Sequence, residues 1–433
     1  MSGPEPPAPP GAVVTPTSGS EREPILDVLR GFALLGILLV NVALMRGPEL
    51  YGIFAGELPD PSTGIDRVAD GAVSWFAAGK FVSSFSILFG LGAGLIVNRS
   101  LAAGRAPRGL LARRYAWLLL FGLAHMVLLF PGDILFVYGV TGMVLLAFVN
   151  VRPKVALWWS AGLLAAVTLV TTAFAALAGI FEGMAGDAAA EDPFTTAFED
   201  FFSRRQEQAV AAFTEGSYLD IIVVHAWQSL FIQGGQLFVI PWLLGLFLFG
   251  FAVTRAGIPL NLREHRATLR RAAIIGLGLG VPLNAVLGLV DPLMLISGGA
   301  GDGINTGLLV AITFVQQAGA PLLAVGYLSG LALLSLRIGP IGPLAAVGRM
   351  ALSAYLAQSL LALVVFAGFR QYDQLSSAGS LVVVLGIWIV LLIVCPLWLR
   401  AFRFGPAEWL WRSLTYKRRQ PMRRRPTQEQ PTD

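Results

Sequence analysis

The sequence predicts an all-α fold: a polytopic transmembrane helical bundle of about ten spans with both termini cytoplasmic. Three observations predict it. Of 433 residues, 55% are hydrophobic and only 13% charged, with a mean hydropathy of +0.70; a water-soluble domain needs more charge than that to cover its surface. The apolar residues gather in runs long enough to cross a hydrocarbon core, which takes roughly 20 residues of helix. Lys and Arg fall between those runs in the alternating pattern of the positive-inside bias.

Residues 1–24 are rich in Pro, Gly, Ser and Glu without apolar periodicity, which predicts a disordered tail. The tail lacks the basic region and small-residue cleavage site of a secretory signal, so the first span is expected to stay attached as an anchor. The transmembrane domain, 25–400, holds apolar runs at 25–45, 72–97, 111–130, 134–150, 155–181, 237–254, 272–290, 304–336, 345–369 and 379–399. Residues 221–236 are apolar but include His225, Gln228, Gln233 and Gln236, which suits a re-entrant or interfacial helix ahead of the sixth span. The eighth run is over-long and breaks at Gly319-Ala320-Pro321, where proline removes a backbone donor and should kink the helix. The outer loop 182–220 carries Phe194, Phe198, Phe201 and Phe202 among its carboxylates, predicting an amphipathic helix packed on the outer face. Residues 401–416 read as an interfacial helix with Trp409 and Trp411 at headgroup level, and 417–433 as a basic disordered tail.

With the N-terminus inside, 24 of the 31 Lys and Arg residues lie inside and six lie outside or in outer span halves. That skew sets the orientation. It also argues against nucleic acid as the partner of the +5 net charge, because the basic residues flank spans and the lipid bilayer is their partner. Cys395 stands alone in an apolar run, so no intrachain disulfide forms. No metal is implied: there is no paired-Cys or His/carboxylate ligand spacing. Gly90, Gly92 and Gly94 follow no strand, so they read as positions of close helix approach, not a nucleotide fingerprint.

An ionisable group within a span costs about 2.5–3.5 kcal/mol on insertion scales, so each one needs a reason. At 1.5 Å per residue, Lys80 lies roughly 12 Å below the outer end of span two, His125 roughly 9 Å below that of span three, and Asn41 roughly 6 Å below that of span one. Asp133 opens span four, with Tyr138 one to two turns deeper. If the first four spans pack together, these side chains converge in one outer-half layer. As a catalytic centre, His125 would act as general base, Asp133 would orient its ring, and Lys80 and Asn41 would stabilise an oxyanion. The plainer reading has Lys80 snorkelling outward to pair with Asp133 and His125 bonding a neighbouring helix. His225, with Asp220 five residues away, is a second candidate, or simply an interfacial histidine beside Trp227.

A second cluster lies at the inner face. Asp27 and Arg30 share a helix face, Arg349 opens span nine, and Glu408 and Arg412 form an i,i+4 pair. Arg30, Arg349 and Arg412 would bind the phosphates of a donor entering from the cytoplasm, since guanidinium matches phosphate oxygens bidentately. Topological anchoring plus lipid-headgroup contact would place the same residues there.

Five runs in order carry a family resemblance. They are Leu26-Asp27-Val28-Leu29-Arg30-Gly31-Phe32-Ala33 leading to Asn41; Gly79-Lys80-Phe81 leading to Phe85-Ser86-Ile87-Leu88-Phe89-Gly90-Leu91-Gly92; His125 followed by Pro131-Gly132-Asp133-Ile134-Leu135; Gly348-Arg349-Met350-Ala351-Leu352 leading to Tyr355 and Gln358-Ser359; and Gly405-Pro406-Ala407-Glu408-Trp409-Leu410-Trp411-Arg412. From residue 25 to about 416 the chain resembles the domain-of-unknown-function family 418, the YeiB-like membrane proteins. That family is similar to the larger group of transmembrane acyltransferases, which includes the heparan-α-glucosaminide N-acetyltransferases. The resemblance implies transfer of an acyl group from cytosolic acyl-CoA, a co-substrate and not a resident cofactor, to a glycan or lipid-linked acceptor at the outer face. O-acyltransferase relatives carry a His where this chain has Asn41, and N-acetyltransferase relatives carry one in the loop that follows, whereas residues 46–71 contain none. The alternative is a transporter or lipid-handling protein without acyl-transfer chemistry, its polar residues lining a pathway and its Pro321 kink a broken-helix site.

Overall fold

The computed structural model describes residues 24–54, 62–185, 193–290 and 306–424. The expected N-terminal tail through residue 23 and the end from 425 lie outside the described residues. The described residues are mostly helical, in the order α1 (Pro24–Met45), α2 (Glu49–Phe54), α3 (Gly64–Phe76), α4 (Lys80–Ala102), α5 (Arg108–Leu128), α6 (Leu135–Leu145), α7 (Pro153–Ala185), α8 (Pro193–Thr214), α9 (Tyr218–Gln236), α10 (Ile240–Arg255), α11 (Arg266–Leu283), α12 (Thr306–Phe314), α13 (Ala320–Ile338), α14 (Gly342–Arg349), α15 (Ala351–Leu363), α16 (Ser377–Ala401) and α17 (Pro406–Thr415). Among the described residues, nine helical stretches are long and apolar enough to cross a membrane, and the shorter apolar stretch Leu135–Phe148 accompanies them. Their outward side chains suit lipid: Leu169, Val170, Phe174 and Leu177 of α7 are all exposed.

Small residues set the tightest crossings, since a Cβ would hold two backbones apart. Gly90 faces the carbonyl of Phe247, and Gly250 faces that of Ile87, so α4 and α10 touch main chain to main chain. Thr254 reinforces the crossing by donating to Leu91 O at 3.2 Å. Gly348 meets the backbone of Asp27 and Gly31 in the same way, joining α14 to α1. Gly92 departs from the close-approach reading: its open side faces Arg30 across a cavity.

The over-long eighth run breaks as the sequence predicts. A π-helical turn, Val315–Gly319, separates α12 from α13 immediately before Pro321, absorbing the missing proline donor as π-bulges do. A second π turn, Val364–Gly368, ends α15. Residues 218–255 form one long helical stretch, not a re-entrant loop. Its first part, α9, lies against the end of α5, where Tyr218 OH donates to Leu128 O at 2.5 Å and Ser229 Oγ to Met126 O at 3.2 Å. The Phe-rich segment is the helix α8, with Phe202 buried and its ring 5.0 Å from that of Phe231.

Cross-bundle contacts keep two faces apart. At the basic face, Arg255 donates to Asn98 Oδ1 at 2.7 Å and Arg113 to Thr415 O at 3.1 Å. At the opposite face, Arg46 donates to Ser377 Oγ at 2.7 Å and the Ala378 amide to Asp66 at 2.8 Å.

The C-terminal segment packs back onto the bundle. The helix α17 is docked against the bundle: Trp411 is buried and its indole donates to Arg114 O at 2.9 Å. Residues 417–424, expected in a disordered tail, double back along 401–403 through an antiparallel bridge between Phe402 and Arg423 and a bond from the Arg403 amide to Met422 O at 2.9 Å.

Candidate functional site

The polar centre forms where α5 ends and α6 begins. His125 occupies the last turn of α5, and Asp133 follows a short turn through Pro131 and Gly132. Asp133 Oδ2 accepts the Phe136 amide at 2.7 Å, capping the first turn of α6. Its other oxygen, Oδ1, lies 2.8 Å from His125 Nδ1. His125 Nε2 lies 2.9 Å from Ser359 Oγ on α15. Because the Asp133 carboxylate accepts on both oxygens, the proton sits on Nδ1, and Ser359 O–H donates to the free Nε2. All three side chains are buried. Tyr355, one turn before Ser359, stacks at a tilt on the imidazole, with ring centroids 4.9 Å apart. Gly122 leaves room for this centre, since a Cβ there would press on Asp133 Oδ2 and the Phe136 amide. Gln233 from α9 closes it by donating to Asp133 O at 2.8 Å.

Two residues expected in this layer make no hydrogen bond to His125 or Asp133. Lys80 does not pair with Asp133: its ammonium donates to Ser74 O at 2.9 Å, fully buried. The cause is a break the apolar run conceals. Gly79 takes a left-handed conformation (φ +79), ending the α3 segment and making Lys80 the first residue of α4. Asn41 is half-buried on α1 and makes no hydrogen bond with His125 or Asp133. Tyr138 belongs to a neighbouring group, its hydroxyl 2.6 Å from Ser86 Oγ. Gln358 donates to Leu34 O at 3.3 Å, tying α15 to α1.

Below the centre, a cavity of about 410 Å³ runs toward the basic face, within the size range of small-molecule sites. Arg30, Arg99, Arg114, Arg349 and Arg412 line its basic end; Phe85, Leu88 and Phe89 line its middle; Ile134, Tyr138 and Tyr355 line its far end. The sequence cluster Arg30, Arg349 and Arg412 is therefore brought together, and Arg99 and Arg114 are two members it missed. Arg30 is partly balanced by Asp27 at 2.9 Å. Arg349 Nε is buried without a hydrogen-bond partner. Arg114 lies over the Trp411 ring at 3.6 Å and Arg412 over Phe404 at 4.6 Å.

Glu408 lines the same cavity but holds the fold. Its Oε1 accepts the Leu352 amide at 2.5 Å and the Ser353 amide at 3.1 Å, and its Oε2 accepts the Ser353 hydroxyl at 2.5 Å. Burial holds this carboxyl above the ordinary carboxylate range, against the lowering pull of those hydrogen bonds. On the opposite face a void of about 20 Å³ touches Ser359, His225 and Gln228. His225 is buried, its ring 5.8 Å from that of Phe213, and its Nδ1 has no hydrogen-bond partner.

Fold and site together define a multi-pass helical membrane protein with an arginine-lined cavity that ends at Tyr355, whose ring packs on a buried Asp–His–Ser centre. The chain belongs to the DUF418 family of YeiB-like proteins. The family model described as "Protein of unknown function (DUF418)" matches residues 253–418. The chain is 30% identical over 428 residues to the uncharacterized protein YxaH of Bacillus subtilis (strain 168), covering 94% of this chain and 97% of that one. It is 27% identical over 415 residues to the uncharacterized protein YeiB of Escherichia coli (strain K12), covering 92% and 97%. A third relative, an uncharacterized 39.9 kDa protein in the amylase 3' region of Bacillus acidopullulyticus, is 28% identical over 416 residues, covering 94% and 97%. No solved structure matches significantly.

Proposed function

We propose that the protein is a membrane acyltransferase of the bacterial cytoplasmic membrane. Its acyl-CoA donor enters from the cytoplasm, and its acceptor is a glycan or lipid-linked hydroxyl or amine at the outer face. The observation that carries this reading is the single cavity joining five arginines at the basic face to Tyr355, whose ring packs on His125. A phosphate-rich head suits the guanidinium end, and an acyl thioester with its chain suits the apolar middle. His125, its ring fixed by Asp133, supplies the base that removes the attacking group's proton. Placing charges in lipid-flanked space is costly, so an arginine cluster lining a cavity calls for anions in it. The transporter or lipid-handling alternative draws on the same cavity, whose apolar middle would also take a lipid chain.

The test is direct binding of acetyl-CoA and palmitoyl-CoA to the detergent-purified protein. Saturable binding is expected, weakened about tenfold or more in Arg30→Ala and in Arg349→Ala, the scale of one lost charge-assisted hydrogen bond. Absence of binding to either donor would sink the acyltransferase reading. Solute or lipid movement without any acyl donor would favour the alternative.

A further inference from the structure

We propose that Ser359 is a nucleophile that carries the acyl group between the two faces, so that transfer proceeds in two steps through a covalent acyl-serine. The proposal rests on the acyl-transfer reading above and adds to it the residue and the order of events.

Geometry is the first support. Ser359 Oγ lies 2.9 Å from His125 Nε2, and His125 Nδ1 lies 2.8 Å from Asp133 Oδ1. This hydroxyl–imidazole–carboxylate chain, with a third group orienting the base, is the arrangement that activates a serine. The second support is what the hydroxyl does not do. In a helix surrounded by lipid, a serine or threonine ordinarily satisfies itself on the carbonyl four residues back. Ser83, Ser84, Ser86, Thr141 and Thr313 all do so in this chain. Ser160 and Ser229 reach across to carbonyls of other helices, whereas Ser359 points its hydroxyl across to a base.

Position is the third support. The arginine-lined cavity ends at Tyr355, and the small void of the opposite face begins at Ser359, one helical turn further along α15. The two spaces share no lining residue. A direct displacement needs donor carbonyl and acceptor to meet at one carbon, whereas a relay lets each meet Ser359 in turn; Ser359 lines the void, so the donor thioester reaches it past the Tyr355 ring that ends the cavity. The void also offers His225 Nδ1, buried and without a partner, as a contact for the acceptor's hydroxyl or amine.

The chemistry balances without any further reactant. In the first half, His125 Nε2 takes the Ser359 proton, and Oγ forms a bond to the thioester carbonyl carbon. The C–S bond then breaks, and the CoA thiolate leaves with the proton from His125. In the second half, His125 takes a proton from the acceptor, whose oxygen or nitrogen attacks the ester carbon. The C–Oγ bond breaks, and Oγ recovers the proton.

The experiment uses the full chain in detergent with Cys395→Ser as background, so that no thiol competes for acyl groups. Acetyl-CoA or palmitoyl-CoA is added without acceptor, donor binding is measured in parallel, and the quenched protein is weighed intact. The expected result is one acyl increment per chain with a matching burst of free CoA, mapped to a peptide containing Ser359. Ser359→Ala should bind donor but show no increment. Ser359→Cys, which keeps a nucleophile beside His125, should form an adduct released by hydroxylamine at neutral pH; the serine ester should need alkaline conditions. Donor binding with no increment in the wild type, or acceptor acylation undiminished in Ser359→Ala, would overturn the relay while leaving the acyltransferase standing. Failure to bind any donor would overturn both.

Discussion

A buried imidazole bonded through both nitrogens has its tautomer chosen by its neighbours. Here Asp133 makes that choice for His125. An amide in its place keeps the shape but offers a donor as well as an acceptor, so it can invert the ring and leave Nε2 carrying the proton. Asp133→Asn is therefore expected to bind acyl-CoA as the wild type does, while acyl transfer falls by two to four orders of magnitude, on the order of the loss in other Asp–His–Ser centres. Parallel measurement of donor binding and turnover checks this; a variant that keeps wild-type turnover would remove Asp133 from the chemistry. His125 and Asp133 were legible together because eight residues and one turn separate them. Ser359 was not, because its partner lies 234 residues away and helix register alone cannot say which side chains meet across a bundle. Lys80 was misread for a local reason: the apolar run continues through Gly79, so hydropathy hides the break that the left-handed glycine makes.

At the scale of elements, α17 shows how two different burials can share one pattern. An amphipathic helix with Trp409 and Trp411 reads equally as facing headgroups or facing a bundle, and only Glu408 distinguishes them. A carboxylate that caps the start of α15 must be carried into the protein by its helix. Glu408→Ala leaves the Leu352 and Ser353 amides without their acceptor, at a cost of about 1–3 kcal/mol, and thermal unfolding in detergent should register it. The comparison with Glu408→Gln adds a pH dependence. Burial raises the folded-state pKa of Glu408 above its unfolded value, so the folded state favours the protonated acid. Its contribution is thus fully present below the ordinary carboxylate value and is lost as pH rises through the raised one. The wild-type Tm should fall relative to Glu408→Gln across that window, and parallel pH profiles would refute the assignment. Pro321, by contrast, was legible outright, since a missing N–H has the same consequence in any helix.

At the scale of the whole molecule, composition and charge spacing carried the helical bundle, with about ten spans expected where nine stretches are long enough to cross among the described residues. They did not carry the cavity, because its arginines come from α1, α4, α5, α14 and α17 and look from sequence like ordinary topological anchors. The two-faced arrangement can be checked with single cysteines introduced beside Cys395→Ser. Ala106→Cys, in the turn between α4 and α5, and Glu215→Cys, between α8 and α9, are exposed at opposite faces. A membrane-impermeant maleimide added to intact cells should label Glu215→Cys and spare Ala106→Cys until the membrane is opened. The reverse pattern would invert the orientation and put the arginine-lined cavity on the wrong side for a cytosolic donor.

The docking of α17 also sets an order in time. Glu408, Trp411, Arg412 and Tyr416 are all walls of the arginine-lined cavity. A ribosome must therefore decode beyond residue 416 before that chamber is closed. A nascent chain whose earlier helices already sit in the bilayer has His125 and Asp133 in place but not the chamber beneath them, so the cavity is among the last features of the molecule to form.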